Sequence, residues 1–383
     1  MSPDGSRVAY WHAYDPAAVE IAPLDASPSL VVPNSVTFRS FSSGIGLGSE
    51  AADALAWAGD SRSLWAVRQD RLVPGGWAVS GLRPVRIGPD GTIRDLPLLR
   101  HEAGPLDALM WIGHSGLALA QFGTRGSRYR PEHEDPAPTF AIVDASRGEV
   151  RDSVRLDRIE ALRERLRDRG TFTGGAAAAI LPDGRIKMVV HFPRTFRPRA
   201  EPGEPDQSPG LWFVWTEGEE PRHLPTPPAE TRGIPFGLSR DGSKLLMSRM
   251  LWAEGYWRIS CRIPCRTPPP PRPPVSGSVA ELIDLESGRT VWRIEGDALG
   301  AWAAGHDPVV SPDGGHALVE LPPDEDGGRV IALVSMRDGR ILGRIAPTYT
   351  SSYPHRFGFR GDGRAIWVAV GGSVLVYALE PTI

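Results

Sequence analysis

The turn sequence Ser-Pro-Asp-Gly occurs at residues 2–5 and again at 311–314, and each copy runs into an apolar segment, "SRVAYW" in one place and "GHALVEL" in the other. Five more stretches follow the same plan: "AGDSRSLWAV" from Ala58, "IGHSGLALAQF" from Ile112, "LPDGRIKMVV" from Leu181, "SRDGSKLLMS" from Ser239 and "RGDGRAIWVAV" from Arg360. A repeat with a period of roughly 50 to 70 residues constrains the fold strongly, because one unit cannot bury its own apolar face and must stack on its neighbours. The turn chemistry has a mechanism. Proline presets φ for the first corner, aspartate accepts a hydrogen bond from the backbone two residues on, and glycine takes the positive-φ position. Each stretch therefore reads as a β-hairpin.

A second set of hairpins interleaves with the first: "FAIVDASRGEVRDSVRL" from Phe140, "LWFVWTEGEEPRHLPT" from Leu211, "AELIDLESGRTVWRIEG" from Ala280 and "VIALVSMRDGRILGRI" from Val330, with a longer version from Trp77. Two hairpins per repeat give four antiparallel strands. Seven such units arranged radially make an all-β, seven-bladed β-propeller in a single domain, which leaves only short, protected strand edges. The blades fall at approximately 1–50, 51–100, 105–157, 171–227, 231–296, 299–346 and 350–383. A β-sandwich could hold as many glycine-bearing hairpins, but seven similar turns favour the ring.

The turns "SPDG", "LPDG" and "SRDG", each before an apolar strand, together with "IDLESGRTVWRI" as an outer hairpin, resemble the repeat of TolB-type, WD-repeat-like propellers over essentially the whole chain. The Trp-Asp and Gly-His pairs of the eukaryotic WD repeat are not repeated here. The resemblance implies a propeller whose relatives serve as binding platforms, sensor domains, peptidase gates and, less often, enzymes. It also implies that the innermost strand of a blade precedes the Asp-Gly turn. Nothing precedes that turn at Met1, so the first and last blades are expected to hold three strands each, for 26 strands in all. Met1 stands where Val310 stands in its own repeat. A biological start upstream of Met1 is the expectation, against a genuine start in an incomplete blade.

Composition narrows the function classes. The chain has 383 residues with a net charge of −3, which gives no global reason to bind nucleic acid or an acidic membrane. Its 12 Trp, 11 Phe and 7 Tyr argue against chain-wide disorder. Of 43 basic residues only Lys187 and Lys244 are lysine, which reads as the coding bias of a GC-rich genome. No apolar stretch is long enough to span a bilayer, and no charged-then-apolar leader opens the chain. The compartment is left open: cytoplasmic as the chain stands, periplasmic or secreted if the start lies upstream.

In a propeller, function is sought in the loops and the channel, and three insertions stand out. "LDRIEALRERLRDRG", residues 156–170, reads as a short amphipathic helix with Ile159, Leu162 and Leu166 on one face and Asp157 able to cap. It reads either as a linker helix packed on the rim or as a partner-binding helix. "EGYWRISCRIPCRTPPPPRPPVSG", residues 254–277, contains polyproline and the chain's two cysteines, Cys261 and Cys265. A disulfide between them, two ordinary thiols, or metal or redox chemistry are all compatible with that spacing. Trp252, Tyr256, Trp257, Arg258, Arg262 and Arg266 are the candidate partner-binding residues. "GTRGSRYRPEHEDPAP", residues 123–138, reads as a solvated charged loop.

Catalytic signatures fail. "GHSGL" from Gly113 has Leu117 where a nucleophile elbow needs glycine, and a strand is expected where the elbow needs a helix. "PPDEDGGRV" from Pro322 lacks the later glutamate of a calcium loop. His12, His191 and His316 lie in second strands of different blades and could meet at the channel mouth. The expected function is a non-enzymatic platform for a protein or peptide, monomeric and without cofactor or metal. The alternatives are a lyase or hydrolase with a channel-mouth His/Asp/Arg cluster, and a sensor or gating domain like the propeller of prolyl-oligopeptidase-like peptidases.

Overall fold

Each Asp-Gly turn opens an antiparallel sheet. The computed structural model describes residues 1–12, 18–25, 27–33, 55–69, 82–123, 138–163, 175–192, 195–196, 207–208, 211–224, 232–252, 275–296, 308–321, 330–346, 356–370 and 373–379. Blade 1 is β1 (Arg7–His12), β2 (Ala18–Pro23) and β3 (Leu30–Pro33); blade 2 is β4 (Leu55–Trp57), β5 (Leu64–Gln69), β6 (Leu82–Ile87) and β7 (Ile93–Asp95). Blade 3 is β8 (Leu106–Ile112), β9 (Leu117–Phe122), β10 (Thr139–Asp144) and β11 (Glu149–Arg155). Blade 4 is β12 (Gly175–Ile180), β13 (Ile186–Phe192), β16 (Leu211–Thr216) and β17 (Arg222–Leu224), with a ribbon of β14 (Thr195–Phe196) and β15 (Gln207–Ser208) between β13 and β16. Blade 5 is β18 (Arg232–Leu238), β19 (Lys244–Trp252), β20 (Val275–Asp284) and β21 (Thr290–Gly296). Blade 6 is β22 (Val309–Val310), β23 (His316–Leu321), β24 (Val330–Ser335) and β25 (Ile341–Ile345), and blade 7 is β26 (Arg356–Phe359), β27 (Ala365–Val370) and β28 (Ser373–Ala378).

The protein is a seven-bladed β-propeller. Its blades hold 26 strands among the described residues, three in the first and last and four in each of the others, as the turn count predicts. The ribbon of β14 and β15 was not expected. No helix among the described residues is long and apolar enough to cross a membrane.

The blades stack through their faces. Successive residues of a strand point to opposite faces, so each middle strand serves two seams. On β13, Met188 and Val190 join the cluster shared with blade 3, while Val189 joins the cluster shared with blade 5. Burial on both faces explains why these strands read as near-continuous apolar runs in place of an alternation. Six such clusters fill the six seams from blades 1 and 2 round to blades 6 and 7. At roughly 1.5 to 3 kcal/mol per fully buried large side chain, the seams are the main source of stability.

The helical insertion starts differently from its expected form. Leu156–Arg158 form a 3-10 turn without a side-chain cap, and α-helix covers residues 160–163. Asp157 pairs with Arg155 at 2.8 Å. Leu156 and Leu162 are buried in the cluster between blades 3 and 4, with Ile159 packed against it, while Leu166 lies outside the described residues.

Candidate functional site

Chain order fixes which loops share a face. In an antiparallel blade the first and third hairpin turns lie at one end, and the second turn and the link to the next blade lie at the other. The turns at the first end are all short, four to six residues, as at 239–243 and 285–289. The long connections leave the opposite end, and they include 34–54, 123–138, 156–174, 193–210 and 253–274. All three insertions singled out in the sequence are therefore anchored at one face, the loop face.

The other face, the turn face, is closed by its own chemistry. In blade 5 the Ser239 hydroxyl donates to Asp241 Oδ1 at 2.5 Å, the Ser243 amide donates to the same oxygen at 3.0 Å, and the Lys244 amide donates to Ser239 Oγ at 2.9 Å. Blade 6 repeats this with Ser311, Asp313, Gly315 and His316, and blade 1 with Ser2, Asp4, Ser6 and Arg7. Burial opposes ionisation of Asp241, but the donors on Ser239 and Ser243 and the charge of Lys244 outweigh it and hold the carboxyl at about 2, below the ordinary 3.8. Asp60 is likewise brought to about 2 against the cost of its burial, by donors from Arg62 and Ser63 and by the Arg86 guanidinium. Asp241 is spent on its own turn, and Asp60 on its own turn and on Arg86 of the neighbouring strand. Arg86 is held 2.6 Å from Asp60 and lies over the Trp65 ring at 5.1 Å.

The turns also touch one another round the ring. The Asp4 amide donates to Ser61 Oγ, and the Gly59 amide donates to the His114 carbonyl at 3.0 Å. Gly113 approaches Ile180, Gly242 approaches Leu181, Gly314 lies against the Arg240 backbone, and Gly363 approaches Pro312. Gly5 under the Arg360 side chain and Gly361 against Pro3 close the circle between blades 7 and 1. "GHSGL" thus forms a turn that pins blade 3 to blade 2: His114 Nδ1 lies 2.8 Å from the Trp57 carbonyl, and the His114 carbonyl accepts from Trp65 Nε1 at 3.2 Å.

The three histidines proposed for the channel mouth are not brought together. His316 begins β23 beside its Asp-Gly turn, whereas His191 stands near the opposite end of β13 and His12 ends β1. Five strand residues separate the two levels by roughly 16 Å. His191 is buried and stacks on Trp212 at 4.2 Å, inside the blade core. Among the described residues no three His, Cys, Asp or Glu side chains are grouped to hold a metal ion.

Of the candidate partner-binding residues, Trp252 is the last residue of β19 and pairs with Val275, which places it at the loop face. Tyr256, Trp257, Arg258, Cys261, Arg262, Cys265 and Arg266 lie outside the described residues, as do the loops at 124–137 and 322–329. β19 and β20 are nine and ten residues long, against six each for β23 and β24 in the next blade. The hairpin that carries the polyproline insertion therefore reaches three or four residues further, roughly 10 Å, out of the loop face.

A ring of rigid blades with one closed face and one loop-bearing face defines the class: a seven-bladed propeller. Comparison with known proteins supports the fold. No protein-family model and no curated protein matches the chain. Among solved structures it is similar to hydrazine synthase of Kuenenia stuttgartiensis, with a TM-score of 0.50 and 12% identity over 99% of this chain and 94% of that one. An oligogalacturonate lyase in complex with manganese gives a TM-score of 0.50 and 13% identity over 100% and 88%. TolB from Acinetobacter baumannii gives 0.39 and 14% over 90% of this chain, which spans 64% of the TolB chain.

Proposed function

We propose that this propeller is a non-enzymatic binding platform, which takes a protein or peptide partner on its loop face, with the insertion of blade 5 at the centre of contact. One observation carries the reading: the long connections are anchored at one face of the stacked blades, while the opposite face carries short turns whose carboxylates serve the turns. Rigid elements presenting long loops suit recognition. Trp252, Tyr256 and Trp257 supply aromatic anchors, and Arg258, Arg262 and Arg266 supply charge, the residue types that dominate binding energy at interfaces.

The test uses the hairpin itself. Because Trp252 already pairs with Val275, an Asn-Gly turn can replace residues 253–274 without disturbing the blade. The shortened protein is expected to melt as the parent does and to lose a partner that the parent captures by crosslinking in extracts of its own cells. Trp257→Ala with Arg262→Ala should give the same loss. Full capture by both variants overturns the reading.

A further inference from the structure

We propose that the outer edge of β28 is a strand-receiving site, which takes an extended, alternately apolar segment of a partner polypeptide as the fourth strand of blade 7. In blades 2 to 6 the third strand is covered by a fourth. β28 pairs with β27 from Val370↔Ser373 to Ala365↔Ala378, and no strand among the described residues pairs with its other side.

An open edge invites pairing, and proteins guard such edges with charge or proline. The rim strands here follow that rule. Arg94, Arg151, Arg222, Arg293 and Arg344 stand on β7, β11, β17, β21 and β25, and β3 ends in Pro33. β28, "SVLVYA", has neither. It has the composition of a covered strand, in a place that no described strand covers.

The seam beside it resembles those of blades 2 to 5, where the following blade also contributes from three strands, and differs from those of blades 1/2 and 5/6, where it contributes from four. Blade 6 feeds the shared cluster from four strands, with Val309, Leu318, Ile331 and Ile345, while blade 7 feeds it from three. At the outer end Ile345, Tyr377 and Leu379 are only partly buried. In two of the five other seams a partly buried fourth-strand residue packs at this place: Ile93 between blades 1 and 2, and Ile341 between blades 5 and 6. The occupant is thereby specified as a strand antiparallel to β28 with an isoleucine-like side chain toward Ile345 and Tyr377. Main-chain hydrogen bonds give affinity, and that apolar notch gives specificity.

A second copy of this chain fits poorly. With one described strand more than blade 7, blade 6 sets β25 over the place beyond β28. A second copy pairing through its own β28 would carry its own β25 into the same space. A segment with no blade stacked on it meets no such obstacle.

Hydrogen exchange of the full chain tests this, with a synthetic peptide of residues 339–346, the chain's own β25 sequence, as the probe. Alternate amides of residues 373–378 are expected to exchange quickly in the free protein and at least tenfold more slowly with the peptide. A scrambled peptide should have no effect. Val376→Lys, at a position 48% exposed, should weaken the protection at least tenfold and leave the melting temperature unchanged. The proposal is overturned if the amides are already protected in the free monomer, if protection rises with protein concentration alongside a dimer mass, or if neither peptide, or both, protects them.

Discussion

Gly184 and Gly314 hold the same place in two turns, with φ of +84° and +67°, but their surroundings differ. A β-carbon on Gly184 would meet nothing within 4 Å, whereas one on Gly314 would run into the backbone of Arg240 in the neighbouring turn. Gly184→Ala should therefore cost only the left-handed backbone penalty, about 1 kcal/mol. Gly314→Ala must also push its own turn away from that of Arg240 and should cost roughly 3 kcal/mol. Denaturant melts of the two variants check this, and equal losses would mean that the turns do not lock together. The turn aspartates make a second prediction at this scale. Asp60 and Asp241 sit at about 2 in the folded protein against an ordinary 3.8, and Asp4, Asp183, Asp313 and Asp362 are lowered as well. A carboxyl with a depressed folded value contributes stability that is fully present above about pH 4 and is lost as pH falls toward about 2. The melting temperature should drop across that window, and Asp241→Asn should make the drop shallower while lowering stability at neutral pH.

Leu162 decides what the short helix after blade 3 does. Its side chain is fully buried between blades 3 and 4, beside Leu156. Leu162→Ala should cost about 2 to 4 kcal/mol, measured by chemical denaturation. A loss under about 0.5 kcal/mol, the usual range for a surface change, would return the segment to the role of a free partner-binding helix. The hairpins were legible in the sequence because turn chemistry is local: a Pro-Asp-Gly run needs no distant contact to declare itself. The start of this helix was less legible. It begins with a 3-10 turn in which Asp157 accepts from Arg155, and helical spacing alone does not reveal that turn. The ribbon of β14 and β15 was missed for a related reason, since two pairs of residues, Thr195↔Ser208 and Phe196↔Gln207, carry no periodicity to read. For the candidate site, the residue types were legible in "GYWRISCRIPCR", but their shared face with the other insertions was not. That sharing follows from strand direction in three blades and belongs to no single segment.

At the scale of the ring, one seam differs from the rest. Apolar clusters fill the six seams from blade 1 to blade 7, and among the described residues no such cluster spans blades 7 and 1. What joins those two blades on the turn face is Arg360. Its guanidinium grips Asp362 through two hydrogen bonds, 2.7 and 2.5 Å, which stretches its stem across Gly5, while Gly361 rests against Pro3. The pair is partly exposed at the surface, so its ionic attraction is screened and contributes little. Its weight lies in fixing the stem as a clasp. Arg360→Ala removes the clasp and touches no other seam. Hydrogen exchange should then quicken in β1 and in β26 to β28 while β9 and β13, each buried between two filled seams, keep the parent rates. Arg360→Lys keeps a stem but not the two-point grip, and should fall between the two. Uniform quickening in every blade would mean that the ring opens as a single unit and has no preferred gate. Quickening confined to blades 7 and 1 would make their seam the place where the circle opens first, beside the edge of β28 where a guest strand would enter.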